Sequence, residues 1–325
     1  MSKKILITGA CGFIGSHLAE MCIESGLEVV AFDRYNSNNH WGWLEESERR
    51  DEMEVVLGDI RDLDSVTKAI AGCDAVFHLA ALIGIPYSYV SPLAYIRTNI
   101  EGTYNVLEAA RNNAVEQIIV TSTSEVYGSA QYSPIDEMHP LVGQSPYAAT
   151  KIAADQLALS YFRSFDSPVK IVRPFNTYGP RQSARAIIPT VITQCQSGTA
   201  ELQLGNLSPT RDLTFVKDTC AAFLEIYHSE ACFGHVVNVG MKSEISIGEL
   251  ATKIAKLMQV NIEIKEDTRR VRPSKSEVDR LLCENERLST VSNWCPAYDL
   301  TRGLTETIEW FNQHREHTLG AEYIV

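Results

Sequence analysis

Short apolar runs alternate with amphipathic stretches along the first half of the chain. The runs that are apolar nearly throughout predict buried strands at 4–8, 28–33, 54–57, 75–79, 117–121 and 170–173. The stretches between them predict helices ending near Glu24 and covering 62–71, 93–113 and 146–165. Strands that are apolar on both faces need helices on both faces. The pattern therefore predicts an α/β fold with a doubly wound parallel sheet.

The alternation breaks after about residue 176, where prolines, an apolar helix near 187–197 and a mixed tail follow. The run Val236–Val239 predicts one more strand that returns to the main sheet. We therefore expect a first domain over 1–175 with a returning segment at about 212–240, and a smaller α/β lobe over 176–325. The polar stretch 36–52 is expected to be a surface excursion that can cover a ligand.

A glycine-rich turn joins the first strand to the first helix. Gly9 allows a tight turn, Gly12 lets a ligand approach the backbone, and Gly15 permits close packing of the helix. Strand, turn and helix occur in the order that a dinucleotide-binding motif requires, with one extra residue between the first two glycines. The sequence therefore predicts a pyrophosphate at the start of this helix.

Acidic residues after the second and third strands extend this prediction. Asp33 closes the second strand, where its carboxylate can accept hydrogen bonds from ribose hydroxyls. A carboxylate there would repel a 2′-phosphate, which favours NAD over NADP, although the adjacent Arg34 weakens the preference. Asp59 and Ile60 follow the third strand, at a position suited to contact with adenine.

Tyr147 and Lys151 are four residues apart on a predicted helix, so their side chains share one face. An ammonium group beside a phenol favours the phenolate, and we expect Tyr147 to act as a base near neutral pH. Together with a dinucleotide, this pair predicts hydride chemistry at a carbinol carbon.

Composition limits the classes of partner. The 325 residues are 45% hydrophobic and 22% charged, and the formal net charge is −12. That charge argues against nucleic acid or an anionic membrane as the general partner. The eight cysteines show no metal-binding spacing, so we expect reduced core thiols, no metal site and a cytoplasmic protein without signal peptide or membrane span.

Further motifs fall in order along the chain: Thr8–Gly15, Asp59-Ile60, His78-Leu79-Ala80-Ala81, Asn99, Ser122–Gly128 and Tyr147-x-x-x-Lys151. As a set they resemble the extended short-chain dehydrogenase/reductases that modify nucleotide sugars, which have a Rossmann-like fold. The resemblance implies NAD as cofactor and a UDP-sugar substrate held by the smaller lobe. It further implies cofactor contacts from these positions: Gly9, Gly12, Phe13, Ile14, Gly15, Asp33, Asp59, Ile60, Leu79, Ala80, Ala81, Asn99, Tyr147 and Lys151.

By the same resemblance, Thr123 hydrogen-bonds the sugar hydroxyl while Tyr147 removes its proton. The related 4,6-dehydratases carry Thr-Asp-Glu at this point, with the Asp as acid and the Glu as base at C5. This chain has Ser124 and Glu125. A serine hydroxyl is too weak an acid to replace the Asp directly. Ser124 can still position a water or the C6 hydroxyl while Glu125 moves the proton; the alternative is that Glu125 is a solvated carboxylate.

The Thr-Ser-Glu triplet also occurs in UDP-glucuronate decarboxylases, which leaves a competing function open. Other segments, including Trp41-Gly42-Trp43, resemble dehydratases acting on UDP-N-acetylglucosamine in legionaminic-type pathways. We therefore predict a 4,6-dehydratase first, a decarboxylase second and a 4-epimerase third. A non-catalytic dinucleotide-binding protein is the remaining alternative, and intact Thr123, Tyr147 and Lys151 argue against it.

Polar residues of the second half complete the predicted site. Asn176, Arg211 and Arg272 match family positions that contact the sugar diphosphate, and guanidinium groups bind phosphate oxygens in bidentate fashion. Arg181 and Arg185 are either ligand contacts or surface residues. Family likeness also implies a homodimer formed through the helices at 93–113 and 146–165.

Overall fold

A seven-stranded parallel sheet forms the centre of the protein. The computed structural model describes residues 2–198, 201–267, 270 and 273–315. The strand order is β10-β6-β5-β4-β1-β2-β3, and every neighbouring pair is parallel. The strands are β1 (Lys4–Thr8), β2 (Glu28–Arg34), β3 (Met53–Gly58), β4 (Ala75–His78), β5 (Gln117–Thr121), β6 (Val169–Pro174) and β10 (Val236–Val239). The predicted parallel sheet is confirmed, including the returning strand.

Helices cover both faces of this sheet because successive strand residues point to opposite sides. Ile5 and Ile7 face one core with helices α1 and α8, while Leu6 faces another core with α2, α5 and α6. The helices are α1 (Phe13–Glu24), α2 (Leu63–Ile70), α3 (Ile85–Val90), α4 (Pro92–Tyr95), α5 (Gly102–Asn112), α6 (Pro146–Phe165), α7 (Ile187–Gln196), α8 (Val216–His228), α9 (Ile247–Leu257), α10 (Glu286–Val291) and α11 (Leu300–Gln313).

The predicted helix at 93–113 is a composite. Helices α4 and α5 are joined without a break by a π-helical stretch, Ile96–Glu101. Such wide turns displace side chains from the regular helical positions and are frequent at functional sites. Asn99 lies in this stretch, so the irregularity falls on one of the predicted site residues.

The second half of the chain builds smaller sheets beside the main one. In the first, β11 (Glu244–Ser246), β9 (Thr210–Phe215) and β13 (Arg280–Leu281) are neighbours, and β7 (Asn176–Tyr178) also pairs with β9. In the second, β8 (Glu201–Leu204) pairs with β12 (Glu263–Glu266). Strand β9 overlaps the start of the segment expected to return to the main sheet, but β10 is the strand of that segment that joins it. The domain boundaries themselves stay a prediction.

Membrane-spanning helices, metal-ligand clusters and disulfide bonds are absent from the described residues. No helix among the described residues is long and apolar enough to cross a membrane. The same residues contain no cluster of potential metal ligands. All eight cysteines are free thiols, and every one except Cys295 is buried.

Candidate active site

The glycine-rich turn passes very close to the backbone of the segment that follows β4. Gly9 has a φ of +75°, and a Cβ atom there would lie 2.8 Å from the backbone nitrogen of Ala80. At Gly15 a Cβ would lie 2.1 Å from the carbonyl oxygen of Gly9. Helix α1 begins at Phe13, and its N-cap, Gly12, provides no side-chain acceptor. The first N–H groups of the helix are therefore left to an anion, as a pyrophosphate requires.

Asp33 supports this turn as well as closing β2. Its Oδ2 accepts a hydrogen bond of 2.8 Å from the backbone nitrogen of Cys11, and its Oδ1 accepts one from the backbone of Arg34. Each carboxylate oxygen has two lone pairs, so both can accept a further hydrogen bond. The half-buried Asp33 thus fits the predicted ribose contact, while Arg34 is exposed.

Asp59 and Ile60 lie in different environments. The Asp59 carboxylate accepts hydrogen bonds from the guanidinium of Arg61, which lowers the pKa of Asp59. Ile60 is buried against helix α5, where a Cβ at Gly102 would come within 2.6 Å of it. Asp59 is therefore ion-paired with Arg61, and Ile60 packs its apolar side chain against helix α5.

The segment after β4 is tied to the turn and to helix α6. Leu79 donates its backbone N–H to the carbonyl of Thr8, and Ala80 donates to the Thr8 hydroxyl. The side chain of Asn99 accepts from the backbone of Leu82 and donates to Leu82 and Thr150. Asn99 is 1% exposed. Its amide is thus engaged within the protein, where it fixes the segment that contains Ala80 and Ala81.

His78 lies behind this segment as a neutral ring. Its nitrogens are 2.8 Å from the Thr8 hydroxyl and 3.0 Å from the Thr103 hydroxyl. Burial, reinforced by the positive charge of Lys151, lowers the pKa of His78 from 6.5 to about 3. The uncharged imidazole therefore joins β1, β4 and α5 over the whole physiological pH range.

The buried histidine makes stability fall on acidification. Because the pKa of His78 is lowered on folding, only the unfolded chain takes up its proton as the pH drops below 6.5. We expect the free energy of unfolding to lose about 1.5–2 kcal/mol between pH 6.5 and 5 from this residue. The variant His78→Gln should lack that part of the slope in urea unfolding; equal slopes would contradict the assignment.

The predicted reacting residues meet at one place. The Thr123 hydroxyl lies close enough to the phenol of Tyr147 to favour the phenolate, and both Tyr147 and Lys151 are buried. Thr123 lies at the end of β5, where its Oγ1 also caps the turn Ser124–Tyr127 by accepting from the nitrogen of Glu125. Thr123 and Tyr147 therefore lie near the C-terminal edge of the sheet, where ligands bind in such folds.

The activation of Tyr147 by Lys151 stays a prediction. The Lys151 ammonium donates a 2.6 Å hydrogen bond to the carbonyl of Thr121. Burial raises the pKa of Tyr147 and outweighs the lowering effect of the Thr123 hydroxyl. Helical spacing placed both side chains on one face but did not account for removal of the phenol from water.

Ser124 and Glu125, which follow Thr123 in the sequence, differ in their exposure to solvent. Ser124 is 2% exposed, whereas Glu125 is only half-buried. The charge of Glu125 acts on Tyr147 strongly enough to raise the pKa of the phenol. Glu125 therefore lies near enough to Tyr147 to act on its pKa, and its role as a base stays a prediction.

The polar residues predicted for the smaller lobe occupy different environments. Asn176 leads β7, and its buried Oδ1 has no hydrogen-bond partner among the described residues. Arg211 is 7% exposed and approaches Glu277 at 3.5 Å. Arg272 lies outside the described residues. An unsatisfied buried amide oxygen is costly unless a ligand completes it, which is consistent with the role predicted for Asn176.

Arg181 and Arg185, predicted as either ligand contacts or surface residues, lie in different environments. Arg181 forms a bidentate ion pair with Glu20 of helix α1, with both distances 2.9 Å. Arg185 is exposed, has no ion pair within the described ranges, and its charge reaches the phenol of Tyr95. The ring of Tyr95 lies 6.3 Å from that of Tyr147. Arg185 is therefore the arginine available to a ligand, and Arg181 joins two parts of the fold.

Sequence reasoning did not single out a buried ion pair beneath the reacting residues. Asp155 accepts hydrogen bonds from the Nε and Nη2 of Arg173 at 3.0 and 2.8 Å, and from the hydroxyl of Ser122 at 2.7 Å. Arg173 also donates to the hydroxyl of Tyr127. Asp155 comes four residues after Lys151, so the spacing that linked Tyr147 to Lys151 could have revealed it.

Several known proteins have sequences similar to that of this chain. The sequence profile described as GDP-mannose 4,6 dehydratase matches residues 6–307. A trifunctional UDP-glucose 4,6-dehydratase from Arabidopsis thaliana is 31% identical over 97% of this chain, which spans about half (48%) of that protein. A UDP-N-acetyl-alpha-D-glucosaminuronate decarboxylase from Bacillus cytotoxicus is 32% identical, with 96% of this chain and 99% of the relative covered.

The fold of the whole chain also has solved counterparts. DesIV, a dTDP-glucose 4,6-dehydratase from Streptomyces venezuelae solved with NAD bound, superposes with a TM-score of 0.87 at 26% identity. The superposition covers 96% of this chain and 98% of DesIV. Because the profile spans most of the sequence and includes every predicted catalytic position, the chain belongs to the GDP-mannose 4,6-dehydratase family of nucleotide-sugar dehydratases, epimerases and decarboxylases.

Proposed function

We propose that the protein is an NAD-dependent 4,6-dehydratase that converts UDP-N-acetylglucosamine to a UDP-4-keto-6-deoxy-hexosamine. The observation that carries this proposal is that Thr123 and Glu125 belong to a turn packed against helix α6, close enough for both to act on the pKa of Tyr147. A dehydrogenase needs only the pair, whereas removal of water across C5 and C6 needs an additional base. Glu125 supplies that base.

The turn at Gly9–Gly15, the carboxylate of Asp33 and the segment Leu79–Ala81 are the groups that would hold NAD. Their fit rests on the uncapped start of helix α1 and on the close approach of backbone at Gly9 and Gly15. NAD bound there would supply a hydride acceptor for C4, a positive charge beside the reacting residues and the hydride that is returned to C6.

The first step assigned to this chain is removal of the C4 hydroxyl proton. Thr123 orients the hydroxyl, and Tyr147 takes its proton as the C4 hydride departs. Lys151 supplies a buried positive charge on the next turn of α6. Since burial lowers the pKa of Lys151 while Asp155 raises it, that carboxylate helps to keep the ammonium charged.

The second step assigned to this chain is elimination of water. Oxidation at C4 acidifies the C5 proton, which Glu125 removes, and the C6 hydroxyl departs as water. Ser124 replaces the acid of typical 4,6-dehydratases, so we assign to it the orientation of the C6 hydroxyl. The proton taken from C5 is passed by Glu125 to the leaving oxygen, so atoms and charge balance.

A decarboxylase acting on UDP-glucuronate is the second candidate, favoured by Ser124 in place of an acid and by the likeness to the Bacillus cytotoxicus decarboxylase. A 4-keto uronic acid loses carbon dioxide without a strong base at C5. Incubation with each UDP-sugar followed by mass spectrometry separates the candidates. Loss of the mass of one water from UDP-N-acetylglucosamine supports our proposal. Loss of carbon dioxide from UDP-glucuronate supports the second, and an unchanged mass indicates an epimerase.

Glu125→Gln should separate the two steps. We expect the elimination rate to fall by about 10²–10⁴-fold because a general base is lost, while C4 oxidation continues. Burst measurements of reduced cofactor should then show accumulation within the first turnover. If elimination proceeds at the normal rate in Glu125→Gln, Glu125 is not the base.

Arg185 and Arg181 should respond differently to removal. We expect Arg185→Ala to raise the KM for the sugar nucleotide about tenfold or more, because a charge-assisted hydrogen bond to the ligand is lost. Arg181→Ala should lower the free energy of unfolding and leave this KM within about threefold of the wild-type value. A KM that rises only in Arg181→Ala would reverse the assignment.

We also propose a homodimer located in the cytoplasm. The composite helix and α6 expose Leu93, Ile96, Tyr104 and Phe165, whose exposed fractions range from 43% to 56%. We infer that these apolar side chains, exposed on helices that pack against each other, form the interaction surface. The free thiols suit a reducing compartment. Light scattering should give twice the mass of one chain, and the mass of a single chain would contradict the dimer.

A further inference from the structure

The excursion after β2 contacts the glycine-rich turn directly. Trp43 donates its backbone N–H to the carbonyl of Cys11 at 3.1 Å. The backbone N–H of Cys11 is held from the other side by Asp33 at 2.8 Å. Both hydrogen-bonding groups of Cys11 are therefore engaged, directly before the N-cap of helix α1. This fixes the orientation of the backbone at the point where a pyrophosphate would bind.

Gly42 makes this contact possible. Its φ is +53°, and a Cβ atom there would lie 2.4 Å from the carbonyl oxygen of Cys11 and 3.0 Å from the Cys11 side chain. Because the obstructing atom belongs to backbone, the clash cannot be relieved by a side-chain rotation. Any other residue at position 42 would push the excursion and the turn apart.

Packing holds the excursion in place on both of its sides. Leu44 is fully buried in the same core cluster as Cys11. On the outer side, the ring of Trp43 meets that of Trp310 edge to face, with 5.3 Å between centroids. Trp310 belongs to helix α11, so the turn is braced by a segment nearly three hundred residues away in sequence.

We propose that Gly42 and Trp43, supported by Trp310, are positioning residues that preorganise the dinucleotide turn and slow release of the dinucleotide. The inference rests on the proposed function in taking NAD as the ligand. A turn held in its binding conformation costs less entropy on binding, and such gains act mainly on the dissociation rate. Slow release matters for a dehydratase because the hydride taken from C4 must remain available for return to C6.

The test compares two glycine substitutions that impose similar backbone strain. Gly42→Ala introduces the clash with Cys11, whereas Gly26→Ala changes a glycine with φ +80° at which a Cβ atom would have no other atom within 4 Å. We expect Gly42→Ala to raise the dissociation rate and the Kd of NAD about tenfold or more, in stopped-flow and calorimetric measurements. Gly26→Ala should leave both values within about twofold of wild type.

Trp310→Leu provides a second variant that leaves the excursion and the turn unchanged in sequence. It should raise the NAD dissociation rate severalfold, whereas a merely structural Trp310 would lower the melting temperature and leave that rate unchanged. The inference is overturned if Gly42→Ala and Trp310→Leu both release NAD as slowly as Gly26→Ala. Failure of the wild-type protein to bind NAD would instead contradict the proposed function.

Discussion

Replacing Tyr147 with phenylalanine is expected to lower kcat by about 10³-fold or more, with little change in KM or in the free energy of unfolding. Removal of the hydroxyl deletes the phenol on which the Thr123 hydroxyl acts. Proton transfer by a positioned side chain contributes about 10²–10⁴-fold to a rate, and a phenylalanine ring cannot accept the proton. Steady-state kinetics and urea unfolding measure the two quantities.

Tyr95→Phe is the matched control for this experiment. The Tyr95 ring lies 6.3 Å from that of Tyr147, but its hydroxyl donates to the carbonyl of Gly84. We therefore expect Tyr95→Phe to retain kcat within about tenfold of wild type. A Tyr147→Phe variant that turns over as fast as this control would show that the phenol is not the base and would favour a binding protein.

Removal of Asp155 should have the largest effect on stability. The Asp155→Ala variant leaves the Arg173 guanidinium buried without a counter-charge, since the two side chains are 0% and 2% exposed. Breaking one partner of such a pair costs about 3–5 kcal/mol, which chemical denaturation can measure. The exposed pair of Lys4 and Glu54 is the control, and Glu54→Ala should cost about 1 kcal/mol or less.

A double variant separates loss of the pair from loss of volume. Asp155→Leu combined with Arg173→Met removes both charges and retains apolar bulk. We expect it to be more stable than Asp155→Ala, because the uncompensated charge is absent. If Asp155→Ala unfolds within about 1 kcal/mol of wild type, the buried pair is not a major contributor to stability.

Periodicity in the sequence predicted most of the fold because the strands are apolar on both faces. Residues such as Leu6 and Ile7 face different cores, and only a sheet covered on both sides buries both. Helix α6 was predicted at 146–165, as observed. Its N-cap serine and following proline are local signals that need no tertiary information.

Contacts between distant parts of the chain could not be predicted in this way. The pairing of Arg181 with Glu20 joins residues 161 positions apart, and nothing local distinguishes Arg181 from Arg185. The role of Asn99 within the protein follows from a π-helical turn that apolar periodicity does not reveal. The raised pKa of Tyr147 depends on burial, which spacing along a helix does not report.

The fate of a deuterium label at C4 of UDP-N-acetylglucosamine tests the central claim most directly. A 4,6-dehydratase transfers that atom to C6 within the same molecule while one water is lost. We therefore predict a 4-keto product that carries deuterium in its C6 methyl group, detected by nuclear magnetic resonance and mass spectrometry. Deuterium found at C4 of a product with unchanged mass would contradict dehydration and would identify an epimerase.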